Sequence, residues 1–348
     1  DLAQMVADGE LDAQYIKVES EHSAMAACIG ASATGARTFT ATSSQGLALM
    51  HEVLFIASGM RLPIVMANAN RALSAPINIW NDQQDSMAER DCGWIQLYCE
   101  TNQEVIDTTI QAFRIAEDKD VMLPVMVNLD GFVLTHTNEP VEIPDEGQVK
   151  KYLPDFVPQV TLDPKSPITM GAFADPSFYM EFRREQERAM EGSLGVIKKA
   201  DEEFEKVFGR SYGGHIEKYN MGNADIVLVT LGSVAGTIKE TIDLMDGVGL
   251  LRIRTYRPLP KQEILDALKD AKVVGVIEKD VSIGLGEGAL YSEIKGLLYS
   301  SDLNPKTLGF IVGLGGRDVT FENIKEAVTL AQKAEKEKVK EVTWVGLK

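Results

Sequence analysis

Short apolar runs alternate with segments of helical apolar spacing twice along this chain, and a stretch crowded with proline separates the two blocks. Runs such as 63–67 and 121–129, the latter broken only by Asn128, are apolar at consecutive residues, not only at every second one. Strands buried on both faces need helical crossovers between them, so the pattern predicts parallel sheets with helices on both sides. In the first block, strands are expected over 15–18, 38–42, 63–67 and 121–129, and helices over 1–6, 21–34, 44–58 and 102–116. In the helix over 44–58, Leu47, Met50, Leu54 and Phe55 share one side. In the second block, strands over 226–229, 250–253, 273–277 and 308–312 alternate with helices over 234–244, 261–268, 289–298 and 321–336. Between the blocks lie the prolines of 137–176, which read as an extended linker, and a charged segment over 178–208 that predicts a long exposed helix. The fold class is therefore α/β, with a first domain over 1–136, a linker and long helix over 137–222, and a second, smaller α/β domain over 223–348.

The formal charge of −17 argues against nucleic acid or an anionic membrane surface as a partner, since both would be repelled. No apolar run approaches the roughly 18 residues of a membrane span. The start of the chain lacks the basic-then-apolar layout of a secretory signal, so a cytoplasmic protein is expected. Three cysteines, Cys28, Cys92 and Cys99, form no CxxC pair, and an iron–sulfur cluster needs four thiolates as a rule. The four histidines have no ligand spacing, so no metal is expected on this chain.

Three local features stand out. Glu19-Ser20-Glu21-His22-Ser23 lies where a helix begins, and acidic residues there offset the helix dipole while Ser20 suits the N-cap. The other reading is a carboxylate at the mouth of the sheet, where α/β folds bind ligands. The run from Asn70 to Asp82 follows a strand and mixes Arg71 with Ser, Asn and Trp. Arg71 suits either a structural ion pair or two parallel hydrogen bonds to a ligand carboxylate. The glycine-rich runs 284–288 and 313–318 match neither a dinucleotide fingerprint nor a phosphate loop and read as tight turns.

Longer runs carry a resemblance. Ile16-Lys17-Val18-Glu19-Ser20-Glu21-His22-Ser23-Ala24-Met25, Thr40-Ala41-Thr42-Ser43-Ser44-Gln45-Gly46-Leu47, Asn70-Arg71-Ala72-Leu73-Ser74-Ala75-Pro76 and Trp80-Asn81-Asp82-Gln83-Gln84-Asp85 resemble the first domain of pyruvate:ferredoxin oxidoreductases. Arg257-Pro258-Leu259-Pro260 and Gly313-Leu314-Gly315-Gly316-Arg317-Asp318-Val319-Thr320 look like that family's second domain. The resemblance implies a pyrimidine-type thiamin-diphosphate-binding fold with a parallel sheet, followed by a domain of transketolase C-terminal type. It implies the alpha subunit of an enzyme that oxidises pyruvate with CoA to acetyl-CoA and CO2, reversibly, and passes electrons to ferredoxin. Thiamin diphosphate would be shared with a beta subunit. Mg2+ and the [4Fe-4S] clusters would sit on partner subunits, the beta, gamma and delta chains, and ferredoxin would be reached through them.

Residue by residue, Glu21 matches the glutamate that bonds the pyrimidine nitrogen of the cofactor. A carboxylate is needed there because an amide would hydrogen-bond without supplying a proton. Arg71 matches the arginine beside the 2-oxoacid carboxylate, with Ser74 and Asn78 as further substrate contacts. Ser43, Ser44 and Gln45 would line the cofactor cavity. The family's upstream Tyr-Pro-Ile-Thr-Pro-type segment is not in this sequence, so a segment before Asp1 is expected to be missing. Competing expectations are a branched-chain 2-oxoacid enzyme with a similar loop, a non-catalytic scaffold that keeps the fold and, more weakly, a nucleotide-binding dehydrogenase.

Overall fold

Both blocks of alternation become sheets in the computed structural model, which describes residues 1–348. After α1 (Leu2–Ala7) come α2 (Glu21–Ala33), β1 (Phe39–Thr42), α3 (Gln45–Leu49), α4 (His51–Gly59), β2 (Val65–Asn70), α5 (Gln84–Ala88), β3 (Ile95–Tyr98), α6 (Asn102–Ala116) and β4 (Val125–Asp130). Helix starts are set locally: Ser20 accepts the Ser23 N–H at 3.3 Å to cap α2, and Thr101 accepts that of Glu104 at 3.2 Å to cap α6. The segment 15–18 is not a strand. No neighbouring strand offers it a ladder, and Tyr15, Ile16 and Val18 lie exposed. The expected helix over 44–58 is divided at Met50, whose N–H bonds to Leu47 O in a tightened turn. Its buried side is the expected one for Leu47, Met50 and Leu54, while Phe55 is only half-buried.

The proline-rich stretch includes a short helix, α7 (Glu146–Tyr152), capped by Asp145. Next comes α8 (Tyr179–Phe208), which is not exposed on all sides. Gln186, Ala189, Met190, Ser193, Ile197, Ala200 and Phe204 recur at helical spacing and are buried, several of them in one core with α6 and β4. The charged residues around this narrow stripe concealed it.

The second block contains β5 (Ile216–Tyr219), β6 (Ile226–Thr230), α9 (Val234–Ile242), β7 (Val248–Ile253), β8 (Thr255–Arg257), α10 (Lys261–Leu268), β9 (Val273–Glu278), α11 (Ala289–Tyr299), β10 (Lys306–Ile311), α12 (Phe321–Ala334) and β11 (Val342–Trp344). The first sheet has the order β1-β2-β4-β3-β8 and the second β11-β10-β9-β6-β7-β5. All pairings are parallel except β3 with β8 and β5 with β7. β8 thus comes from the second block but closes the edge of the first sheet, which ties the two halves together. Strands β3, β5, β8 and β11 have no counterpart among the sequence expectations; all are three or four residues long, too short for periodicity to register.

Arginines at the start of this crossover fasten the halves further. Arg252 and Arg254 are both buried and both engage Glu104 of α6, at 2.9 Å and 3.1 Å. Arg254 also donates to Gly214 O, Thr108 Oγ1 and Gln111 Oε1, so its buried charge is paired and all three of its nitrogens are hydrogen-bonded.

Candidate active site

The carboxyl ends of β1, β2 and β4 meet in a group of polar side chains that an apolar sheet would not need. Asn68 and Asn70 on β2 and Asn128 and Asp130 on β4 are all buried. Ligands bind at this end of parallel sheets, where backbone groups and helix starts converge.

Glu21 is the first residue of α2, placed there by the Ser20 cap. Its side chain lies against Gly46, where a Cβ would come within 2.8 Å of Glu21 Cγ and of Thr42 Oγ1. Gly46 therefore leaves space that any larger residue would fill. Thr42 Oγ1 is buried without a hydrogen-bond partner. The Glu21 side chain makes neither an ion pair nor a hydrogen bond, in contrast to neighbouring Glu19, which accepts from Ser23 Oγ.

The turn 43–45 joins this carboxylate to the loop after β2. Ser43 Oγ donates to Ala69 O at 2.7 Å and accepts from Arg71 Nε at 2.5 Å. Ser44 is buried, with φ 54, a left-handed conformation rare for a residue with a Cβ. Its hydroxyl donates to Ala72 O at 2.6 Å. Gln45 Nε2 donates to Ser74 Oγ at 2.6 Å. Ser43, Ser44, Gln45, Arg71 and Ser74 are thus brought together, with Glu21 on the far side of the same turn. Gly131, at the end of β4, makes room for the stem of Arg71: a Cβ there would lie 3.0 Å from Arg71 Cγ.

Arg71 has no carboxylate partner. Its only side-chain hydrogen bond is the one from Nε to Ser43, so both terminal nitrogens of the fork remain available. The structural ion pair considered for it is not formed. Asn78 lies apart from this group. Its amide donates to Gly315 O at 3.0 Å and its oxygen accepts the Trp80 N–H at 2.7 Å, so both ends are engaged.

The glycine turn after β10 forms the seam on which this loop rests. Gly315 and Gly316 have positive φ, and a Cβ on Gly316 would collide with Trp80. Gly315 N–H also donates to Asp82 Oδ2 at 3.1 Å. Beneath the seam, Lys279 contacts Asn81 Oδ1 and lies 3.6 Å from Asp130. Burial alone would raise the Asp130 carboxyl, but Lys279, Ser233 and Gln83 outweigh it and hold the group below its ordinary value. The second glycine run is a turn as expected, with Gly284 and Gly286 at positive φ and a bridge between Ser282 and Glu287.

Asp85 is the residue that sequence reasoning did not single out. It is buried on α5, and its carboxylate accepts from Ser44 N, Arg71 N, Asn70 Nδ2 and Ser86 N. Burial pushes it up to about 6 although these four bonds pull downward. The run Trp80–Asp85 contains two aspartates, both buried, and nothing local says which one joins the Ser44 turn to the Arg71 loop.

No group of three or more His, Cys, Asp or Glu side chains is arranged to hold a metal ion, and no helix is long and apolar enough to cross a membrane. The cysteines are free.

Comparison with known proteins identifies the family. Residues 1–202 match the family described as pyruvate flavodoxin/ferredoxin oxidoreductase, thiamine diphosphate-binding, and residues 224–324 match pyruvate:ferredoxin oxidoreductase core domain II. Pyruvate synthase subunit PorA of Methanocaldococcus jannaschii is 58% identical over 353 residues, covering 100% of this chain and 89% of that one. Ketoisovalerate oxidoreductase subunit VorA of Pyrococcus horikoshii is 47% identical over 354 residues, with the same coverage. Among solved structures, the 2-oxoglutarate:ferredoxin oxidoreductase of Magnetococcus marinus has the same fold, with a TM-score of 0.67 at 19% identity. The match covers 96% of this chain and 59% of that longer one. A split-gene transketolase, an inactive beta4 tetramer, aligns with a TM-score of 0.50 at 13% identity over 91% of this chain and 83% of that one.

Proposed function

Because the chain belongs to the pyruvate flavodoxin/ferredoxin oxidoreductase family, we propose that it is the alpha subunit of a thiamin-diphosphate-dependent pyruvate synthase, acting on pyruvate, CoA and ferredoxin. The observation that carries this reading is the turn 43–46. One side of it receives a carboxylate with no other partner, and the other anchors an arginine with no counter-ion. An acid that can hold a proton and a cation that can orient a carboxylate are the two groups a 2-oxoacid decarboxylation needs from its protein.

The residues present fit the cofactor. Gly46 leaves open the space above Glu21, and Thr42 Oγ1 is a buried polar atom awaiting a partner. Thiamin diphosphate, when bound, supplies the electron sink for decarboxylation. Glu21 would hold the aminopyrimidine ring by sharing a proton with its ring nitrogen, with Ser43, Ser44 and Gln45 beside it. Arg71 would take the 2-oxoacid carboxylate on the two free nitrogens of its fork, with Ser74 close by. Its Nε anchor on Ser43 fixes the plane of the guanidinium, so less rotamer freedom is lost on binding. Asn78 supports the loop from behind through Gly315 and is not assigned a substrate contact.

The diphosphate and its Mg2+ are assigned to a beta subunit and the [4Fe-4S] clusters to further chains, the gamma and delta subunits among them. Three scattered cysteines agree with that division. Ferredoxin is expected to dock on those chains, since a surface of net charge −17 is a poor receptor for an acidic protein. The cytoplasm is the proposed location.

The test is CoA-dependent reduction of a viologen dye by the anaerobically purified complex, offered pyruvate, 2-oxoisovalerate and 2-oxoglutarate separately. Preference for pyruvate is expected. Preference for 2-oxoisovalerate would keep the chemistry and change the substrate, while no reduction with any of the three would leave a scaffold.

A further inference from the structure

We propose that Asp85 is a positioning residue for this reaction: by accepting the backbone N–H groups of Ser44 and Arg71 on a single carboxylate oxygen, it sets the spacing between the turn that receives Glu21 and the loop that carries Arg71. The inference rests on the roles given above to Glu21 and Arg71.

The geometry divides the carboxylate into two halves. Oδ2 accepts from Ser44 N at 2.9 Å and Arg71 N at 3.1 Å, residues 27 apart in sequence that belong to the two halves of the site. Oδ1 accepts from Asn70 Nδ2 at 2.8 Å and Ser86 N at 2.7 Å, which fixes the carboxylate itself. All four partners are N–H donors, and no cation pairs with the group. Only an ionised carboxylate offers enough acceptor sites for such a set. An amide would turn its own NH2 toward one of the pairs and force two donors together. The same two segments are also joined by the Ser43 and Ser44 hydroxyls, to Ala69 O and Ala72 O. Those bonds close the seam, whereas Asp85 sets the position of both backbones from beneath.

Few ionisable groups face Asp85. From β3, Tyr98 reaches it only through Ser86 Oγ, at 2.7 Å, and burial keeps the phenol neutral. From the loop after β2, Arg71 presents its backbone N–H, while its guanidinium turns to Ser43. Helix α3 brings no ionisable side chain. On the approach to α5, burial raises the Asp82 carboxyl, which faces Gln84 N and Gly315 N. With burial pushing Asp85 up to about 6, acidification protonates it and removes an acceptor from the joint. The ionised form is the one that holds the loops, so activity is present above that pH and lost as the pH falls through it.

The experiment uses the assembled complex with Asp85→Asn and with Asn70→Ala. Steady-state kinetics on pyruvate are read against pH, together with thiamin diphosphate affinity of the cofactor-free complex and thermal stability. For Asp85→Asn, the KM for pyruvate is expected to rise about 10- to 100-fold, since both partners shift by a fraction of an ångström. Thiamin diphosphate affinity falls with it, and the acid limb near pH 6 in kcat/KM disappears. Asn70→Ala removes one donor from Oδ1 and leaves both loop contacts, so its acid limb moves to higher pH. That variant also decides the matter if Asp85→Asn fails to assemble. Unchanged KM and cofactor affinity in a folded Asp85→Asn complex, a loss confined to thermal stability, or an unmoved limb in Asn70→Ala overturns the inference. Arg71→Ala separates the two levels. If it raises KM while Asp85→Asn does not, only the positioning role fails; if it leaves KM unchanged, the underlying site assignment fails.

Discussion

The two sheets of this protein follow one plan and differ at one end. In the first, β2 and β4 carry Asn68, Asn70, Asn128 and Asp130, all buried, at their carboxyl halves. In the second, β6 reads Ile226–Thr230 and is apolar up to its last residue, while β9 is apolar up to Glu278. The first sheet also leaves Thr42 Oγ1, Asn68 Oδ1, Asn70 Oδ1 and Asn128 Nδ2 buried without partners. Each such atom costs about 1–3 kcal/mol, a burden a purely structural sheet would shed by using Val or Leu. The second sheet invests its polar groups in the seam, in glycines that admit the Arg71 loop and in arginines that grip α6. One sheet thus keeps unpaired polar groups at the expense of stability, as the proposed site requires, and the other holds the first in place.

The sharpest way to break that contrast is Glu21→Gln. It keeps the shape and the space over Gly46 but removes the proton donor, so turnover should fall about 10²- to 10⁴-fold with assembly and Tm unchanged. Near-normal turnover would return Glu21 to a helix-dipole role. The converse belongs to the second sheet. Glu104→Gln leaves Arg252 and Arg254 buried with weaker counter-charge, and the chain should lose about 3–5 kcal/mol in urea unfolding. If instead the pyruvate KM moved and stability did not, the division of labour between the sheets would be wrong. Arg71→Ala comes next in size: KM for pyruvate should rise about 100-fold with Tm nearly constant. Arg71→Lys should not restore it, because a point charge cannot make two parallel bonds.

Much of this was legible in the sequence because the strands that form the cores are continuous apolar runs. The helices over 102–116 and 261–268 match to the residue, and Ser20 caps α2 as its position requires. The strand expected over 15–18 failed because β-propensity without a partner ladder leaves a chain extended but unpaired. The long helix was found but its burial was not, since Gln186, Ala189, Ser193 and Ala200 dilute the stripe that Met190, Ile197 and Phe204 carry amid many charges. At the proposed site, the resemblance names Glu21, Arg71 and the 43–46 turn, but it does not single out Asp85. Its importance comes from two backbone N–H groups, which any residue would supply, so no spacing in the sequence encodes them.

The smallest expected effect tests whether the second sheet is as inert as the comparison makes it. Glu278, the last residue of β9, and Asp280, two residues on, are buried beneath the start of α11, where Leu290 N, Tyr291 N and Ala289 N each donate to one of their oxygens. The two remaining oxygens have no donor, and a single proton shared between the carboxyls would satisfy both. Burial, with each charge repelling the other, raises Glu278 well above the carboxylate range, and burial lifts Asp280 to about 6. A raised folded-state value means stability fully present below the unfolded value, near 4, and lost as pH rises through the folded one. Asp130, lowered by Lys279, works in the opposite sense and loses its contribution only on strong acidification. Asp280→Asn keeps a donor for Glu278 at every pH and removes one buried charge, so the decline in Tm between pH 5 and pH 8, about 1–3 °C beyond that of neighbouring groups, should flatten. A decline of unchanged slope would mean that the proton is not shared and that the second sheet, like the first, holds a carboxylate in reserve.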